Sequence, residues 1–385
     1  MSNQLNLPFI KSDWTMSLSD IPKYSEFAGK FIQPLDYHIL QMIVESKNEK
    51  ITPIMKQEIQ DKLLKNIDIR TGEMPVYHHQ AHGLGRFHGN DGVSIIPFSK
   101  YVKHTVFKYL GWRDLDMVKG HMTIAYEMGL SVGLSFSAIK RYIDDFQSVC
   151  DEMKAFYQVD EEENYLEDED VKWLFCIMMY GGGLKCWVDG LAKGDEKTGH
   201  TPKKVKNGEM YSKFAGEFKA ECKTIINRIY TKNASLVRKL KKAEDEEYQT
   251  KGTVAAYWFG IIENHILYVV YCFLVEKGVI RPKICGLEFD GLNLPPFSKE
   301  IDESVLIGDI NNTIRVKTGM NVSMKFKDYS HVLESIIKER NEFIVPVYAV
   351  QLKSLKNQIQ SQGNMRSGRK DLKWNGAKSK TVVYL

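Results

Sequence analysis

The chain has 385 residues, 43% of them hydrophobic and 26% charged, with 53 Lys and Arg against 49 Asp and Glu. That length allows a sizeable core with two or three subdomains around it, and the composition excludes a disordered or fibrous chain. A formal net charge of +4 is only mildly basic, so any affinity for polyanions must come from where the charges lie.

From the N-terminus, Met1 to Trp14 has no basic start followed by an apolar run, which argues against a secreted protein. Tyr37 to Val44 and Ile54 to Leu64 are helix-like and separated by a polar turn at Asn48, Glu49 and Lys50, so residues 1–83 are expected to form a helical N-terminal piece. Glycines at 83, 85, 89 and 92 break regular structure before Pro97, and Val102 to Asp116 mixes apolar and polar residues in the manner of a strand. Residues 118–157 turn helical again. Eight carboxylates (Asp160, Glu161, Glu162, Glu163, Glu167, Asp168, Glu169 and Asp170) precede the apolar Val171 to Tyr180, where acids favour a helix N-terminus and are expected to form a solvated cap.

Gly181, Gly182 and Gly183 would end that helix, and residues 190–210, with Lys193, Lys197, Lys203, Lys204 and Lys206, have the composition of a mobile basic loop. A long helix follows, with Phe214, Phe218, Cys222, Ile225, Ile226 and Ile229 as its buried stripe. Val254 to Val275 predicts another buried helix, leading through Gly278 and Pro282 into a strand over Ile284 to Phe289. The most apolar run, Ile266 to Val275, is about half the length that crosses a bilayer, so no membrane partner is expected. The six cysteines (150, 176, 186, 222, 272 and 285) never form a Cys-x-x-Cys pair, which disfavours a zinc ribbon or a disulfide framework and fits a reducing compartment, the cytoplasm or nucleus of a host cell. Residues 351–385 hold eight Lys and Arg against the single acid Asp371, a tail able to reach phosphates.

Three segments carry candidate chemistry. Asp114-Leu115-Asp116 and Phe289-Asp290-Gly291 each end a strand-like stretch, so a rigid sheet could bring Asp116 and Asp290 together as oxygen ligands for two Mg2+ ions, with Mn2+ as a substitute. On a strand Asp114 and Asp116 share a face, which makes Asp114 a third ligand or an exposed partner of Arg113. On a helix over 171–180, Lys172, Cys176 and Tyr180 lie along one side spanning about 12 Å, roughly the reach of a nucleotide. Lys172 could neutralise a triphosphate while Tyr180 stacks near a templating base. His78, His79, His82 and His88 crowd together without the spacing that fixes two ligands on one helix face, so loop residues or phosphate contacts fit them better than a metal.

Taken in order, Gly85-Arg86-Phe87, Ser94-Ile-Ile-Pro97, Lys103 to Phe107 and Asp116, then Lys172 followed after seven residues by Tyr180-Gly181, then Glu263 to Phe273 leading to Leu287-Glu-Phe-Asp290-Gly291, resemble the three motifs of family A polymerases and the related single-subunit phage-type RNA polymerases. Asp116-Met-Val-Lys-Gly-His121 resembles more narrowly the divergent transposon-virus polymerases of virophages and mobile elements. The resemblance covers roughly residues 83–295. It implies an α+β right-hand architecture: a helical, thumb-like N-terminal subdomain (1–83), an antiparallel palm sheet from 84–126 and 257–350, mostly helical fingers over 127–256, and the basic tail. It also implies Asp116 and Asp290 as catalytic metal ligands, Lys172, Tyr180 and Gly181 at the nucleotide, His121 where the sugar 2′ position is screened, and Arg86 on primer or template backbone.

The expected activity is template-directed nucleotidyl transfer, foremost by a DNA polymerase of a virus or mobile element, with primer, template, nucleoside triphosphates and replication or transcription proteins such as a helicase as partners. The departures concern specificity. Asp168 stands where an arginine is expected, leaving Arg141 or another base for the triphosphate, and Phe289 replaces the usual His before the third-motif Asp. His121 leaves the choice of sugar open. With about 80 residues before the Gly-Arg motif, neither a proofreading nuclease nor a full thumb is expected in this sequence. An RNA polymerase or primase-like activity uses the same groups. An RNase H-type nuclease or transposase needs only the separated acids, and a non-catalytic replication-binding protein needs only the fold.

Overall fold

The computed structural model describes residues 5–89, 93–159, 165–194, 202–241 and 251–342. Met1–Glu334 form one folded unit, and Ser335–Leu385 a second that is helical where described, over 335–342. The basic tail at 351–385 lies outside the described residues.

The first unit mixes helices with two antiparallel sheets. One sheet, in the order β1-β2-β3, is built from β1 (Gly29–Pro34), β2 (Glu73–Gln80) and β3 (Phe87–Gly89). The N-terminal region is therefore not simply helical. Its expected helices are present as α1 (Tyr37–Glu45) and α2 (Pro53–Glu58), the latter running into a π-helical turn at Ile59–Leu64. The flanking strands escape a search for helical spacing because β2 alternates: Met74, Val76 and His78 are buried, Glu73, Tyr77 and His79 exposed. His78 and His79 thus point to opposite faces of a strand rather than clustering in a loop.

The stretch Val102 to Asp116 divides in two, correcting the single strand-like segment. Lys100–Tyr109 is helix α3 and Arg113–Met117 is strand β4, with Gly111 at φ 69° turning the chain between them. Val102, Thr105 and Val106 carry β-branched side chains, yet every residue from Val102 to Phe107 is buried in the packed helix, and burial outweighs propensity. Strand β4 is the centre of the second sheet, whose order is β5-β6-β4-β7, with β5 (Gly286–Glu288), β6 (Gly291–Leu294) and β7 (Met324–Lys327). Segments far apart in sequence therefore share one antiparallel sheet.

Between β4 and β5 the chain is helical: α4 (Gly120–Ser131), α5 (Ser137–Asp144), α6 (Phe146–Phe156), α7 (Asp168–Met179), α8 (Leu184–Lys193), α9 (Lys213–Lys232), α10 (Ala234–Lys241) and α11 (Lys251–Glu276). Helix α12 (Glu303–Thr318) connects β6 to β7. The stripe Phe214, Phe218, Cys222, Ile225, Ile226 and Ile229 is buried along α9 as its spacing predicts. Helix α11 is long and apolar enough to cross a membrane by length and composition, but 67% of its apolar window is buried inside the protein, as in a core helix. Trp14 stacks on Trp258 of α11 at 5.7 Å. Asn233, itself buried, accepts from Met16 N at 2.7 Å and donates to Trp14 O at 3.1 Å, tying the N-terminal segment to the end of α9.

Two charge assignments change. Asp170, from the acidic run, is fully buried and bonds Lys203 at 2.7 Å, so it is neutralised by protein rather than by water. Lys203 is 5% exposed and is not available to a phosphate, and α8 claims the first part of the expected 190–210 loop. Glu167 and Asp170 form a capping box, and Lys154 reaches Asp168 at 2.5 Å. Residues 160–163 and 195–201 of these two segments lie outside the described residues.

Because one partner of a buried pair cannot be lost without stranding the other, Lys203→Met should cost about 3 kcal/mol in urea unfolding. Adding Asp170→Leu should restore most of it. A loss under about 1 kcal/mol for Lys203→Met would place the pair in solvent.

Candidate active site

The register of the second sheet puts Asp116 opposite Gly291, and the two-residue turn Phe289-Asp290 joins β5 to β6 immediately beside it. Met117 N donates to Asp290 O at 3.0 Å, fixing the turn to β4. A Cβ at position 291 would lie 2.7 Å from Leu115 O and 3.1 Å from Asp116 Oδ1, so only glycine lets the hairpin approach this closely. The close approach brings the Asp116 and Asp290 side chains together.

Their electrostatics follow. Burial, and then the Asp290 carboxylate, push the Asp116 carboxyl up to about 7. Burial likewise raises Asp290, with Glu263 adding to it. Lys327 of β7 ion-pairs with Asp116 but does not cancel the combined effect. Asp114 is raised to about 6 by burial and then by Glu288, with Asp290 the weakest of the named influences. Glu288 in turn is ion-paired with Lys103 and accepts from Asn293 Nδ2 at 2.5 Å. Among the described residues no three His, Cys, Asp or Glu side chains converge as a metal-holding group. Asp114, on which Glu288 acts more strongly than Asp290, is not part of such a group. Nor does it pair with Arg113, whose guanidinium is taken by Glu303.

Beside the acids lies a buried network. Glu263 of α11, 1% exposed, accepts two bonds from Arg86, at 2.5 Å from Nε and 2.9 Å from Nη2, and meets His121 Nε2 at 3.1 Å. The other imidazole nitrogen, Nδ1, bonds the Tyr180 hydroxyl. All groups are satisfied when Tyr180 O–H donates to Nδ1 and Nε2–H donates to Glu263. Burial alone would raise the Glu263 carboxyl, but His121 and Arg86 hold it below its ordinary value. Burial works against the Arg86 charge and Glu263 outweighs it. The Arg86 guanidinium also lies 5.3 Å from the Phe289 ring centre, next to Asp290. Arg86 is thus committed to an internal carboxylate rather than free for a nucleic-acid backbone, and His121 is held between Tyr180, Glu263 and the stacked Phe259 ring at 5.1 Å.

Helix α7 ends as its sequence predicts. Tyr180 is the C-cap, Gly181 has φ 84°, and Gly181 N and Gly182 N close onto Met178 O and Ile177 O at 3.0 and 2.9 Å. Lys172 is half exposed, with Glu169 at 3.6 Å. The thiol of Cys176, one turn after Lys172, is raised chiefly by burial, with Lys172 opposing and Glu169 and Asp290 adding to the rise. Arg141, the alternative phosphate base, is engaged by Glu152 at 2.7 Å and by the Phe214 ring. Tyr180 borders two cavities. One of about 240 Å³ adjoins Arg86, His88 and His121. The other, of about 480 Å³, is lined by Lys219, Lys223 and Lys251, with Asn227, Gly181 and Gly182 and no acidic side chain.

The structure brings Asp116, Asp290, Arg86, His121, Tyr180 and Gly181 into one region, with Lys172 earlier on the helix that ends at Tyr180. Glu263, Lys327 and the cavity lysines were missed from sequence. Glu263 carried a signal, being the sole Asp, Glu, Lys or Arg from 252 to 275. Lys327 carried none.

No family model matches the chain. The chain is 20% identical over 287 residues to a protein named "Putative helicase V13" of Sputnik virophage, covering 74% of this chain and 32% of that protein. It thus spans about a third of that relative's length. Among solved structures, it is similar to the POL domain of Pol1 from M. smegmatis, in complex with DNA primer-template and dNTP, at 12% identity and a TM-score of 0.39, over 72% of this chain and 53% of the other. A TM-score at that level transfers no residue role.

The raised carboxyl of Asp116 makes the metal-free protein most stable below about pH 4 as far as this group is concerned, and that contribution is lost as pH rises toward about 7. Asp116→Asn should therefore raise the melting temperature of the metal-free protein at pH 8 by a few degrees and leave it nearly unchanged at pH 4. Equal melting temperatures at pH 8 would show that Lys327 already neutralises the site.

Proposed function

We propose that this chain is a template-directed nucleotidyltransferase, a DNA polymerase of a virus or mobile element. The observation that carries the reading is the meeting of Asp116 and Asp290 at the end of one antiparallel sheet, close to Tyr180 at the end of α7. The proposed step is attack of a primer 3′-hydroxyl on the α-phosphate of a nucleoside triphosphate, forming a phosphodiester bond and releasing pyrophosphate.

Two desolvated carboxylates, both raised by burial and Asp116 further by Asp290, with hard oxygen donors and one ammonium on Asp116, fit a divalent cation such as Mg2+ or Mn2+. Asp116 and Asp290 would hold it, and when bound it would supply charge stabilisation at the attacking and leaving oxygens. The remaining work falls to the chain itself. Lys172 would neutralise the triphosphate, and the Tyr180 ring would border the nascent base pair. His121, locked by Tyr180 and Glu263, would present a fixed wall to the sugar of the incoming nucleotide. Arg86 would act through Glu263 and Phe289 by holding the hairpin turn that carries Asp290. The lysine-lined cavity would take phosphates of the nucleic acid.

The virophage relative's name offers a helicase reading. That reading has less support in this chain, which contains no G-x-x-x-x-G-K-[ST] phosphate loop. A helicase fits better as a partner or as a neighbouring module of the replication machinery, in a reducing compartment of the host. An RNase H-type nuclease shares the paired acids but leaves the Tyr180–His121–Glu263 network without a role.

On a primed template with Mg2+, Asp116→Asn and Asp290→Asn should each lower primer extension about a thousandfold. Wild-type activity in either variant removes its ligand role, and degradation of the labelled strand instead of growth identifies a nuclease. Replacing Lys219, Lys223 and Lys251 together by Gln should weaken DNA binding and reduce the slope of log affinity against log salt by about two to three. An unchanged slope would place the nucleic acid elsewhere.

A further inference from the structure

We propose that Lys327 is a resident counter-ion of the acid pair, occupying the coordinating oxygen of Asp116 until a divalent cation displaces it. The proposal rests on the metal-binding reading of Asp116 and Asp290 given above, and it deepens that reading by assigning a positioning residue on a strand that the reading did not use.

Strand β7 is the edge of its sheet, and its register sets Lys327 opposite Asp114 and Lys325 opposite Asp116. Directly opposed side chains share a face of the sheet, so both lysines stand on the side that bears the two acids. Yet the ion pair forms on the diagonal. Lys327 Nζ contacts Asp116 Oδ2 rather than stopping at its direct neighbour, and Asp116, Asp290 and Asp114 all act on it. One ammonium thus faces three acids, while Lys103 is held by Glu288 and Lys325, opposite Asp116, has an exposed side chain near Lys119.

An ammonium and a divalent cation cannot share the same carboxylate oxygen, because Mg2+ takes its oxygen ligands at about 2.0–2.1 Å. The Lys327 side chain is 39% exposed against 11% for Asp116, and a flexible four-carbon stem lets the head swing out to water without stranding it. The acid is fixed by the sheet while the lysine is not. Lys327 therefore relieves the repulsion between Asp116 and Asp290 before a metal arrives, and competes with the metal for the same position.

Binding of Mn2+ to the full chain at pH 8, without nucleic acid or nucleotide, tests this apart from any turnover. Lys327→Met should bind Mn2+ at least about threefold more tightly than wild type, since a competing positive charge is removed from contact distance. Lys325→Met, the same loss of charge on the same strand, should change affinity less than about twofold. Equal or weaker binding by Lys327→Met, or an equal gain from Lys325→Met, overturns the counter-ion role. Should Lys327→Met fail to fold, judged by its melting transition, Lys327→Gln carries the same expectation. If Asp116→Asn combined with Asp290→Asn leaves Mn2+ binding at the wild-type level, the metal site itself is wrong and the proposal falls with it. If that pair abolishes binding while Lys327→Met leaves it unchanged, only the role of Lys327 is lost.

Discussion

The Glu263 carboxylate is the point on which the central region depends. A fully desolvated acid is tolerated in an apolar helix only when its charge is answered, and here Arg86 and His121 answer it from two other parts of the chain. Three segments that share no regular hydrogen bonding are thereby joined: the Gly85-Arg86 turn, the first turn of α4 and the middle of α11. Tyr180 adds the end of α7 through the second imidazole nitrogen. The same guanidinium that satisfies Glu263 lies against Phe289, so the internal network continues to the turn that carries Asp290.

Against that neutral network the acid pair stands out as charge the fold does not fully cancel. Sheet register, the missing Cβ at Gly291 and the bond from Met117 N to Asp290 O all force Asp116 and Asp290 together. The protein spends conformational freedom and electrostatic energy to keep two like charges close. Such an arrangement is hard to explain as a packing solution, because a pair of apolar residues would pack there without the desolvation cost, and it fits a site built for a cation.

Much of this was legible in the sequence because it rests on local signals. Acids ending strands, the Lys-to-Tyr-Gly spacing on α7 and the stripe of α9 are all periodic or positional features, and the structure has them as expected. What escaped was decided by tertiary context. The β-branched residues of α3 have strand propensity until tertiary packing buries them, and the strands β1 and β2 flank helices whose stronger period masks them. Asp170 and Lys203 looked solvated because each sits in a charged run, and only a long-range pairing buries them. Lys327 is one lysine among many until the register of β7 places it beside Asp116. The free arginine imagined at Arg86 is the instructive case: the residue belongs to the site, but its charge is consumed by Glu263.

The phenol of Tyr180 belongs to the wall of both cavities, the lysine-lined one and the one beside Arg86. An occupant of either cavity therefore meets the same ring. Its hydroxyl is tethered to His121, which is itself tethered to Glu263, so the surface that both occupants meet is held by a buried acid rather than by solvent.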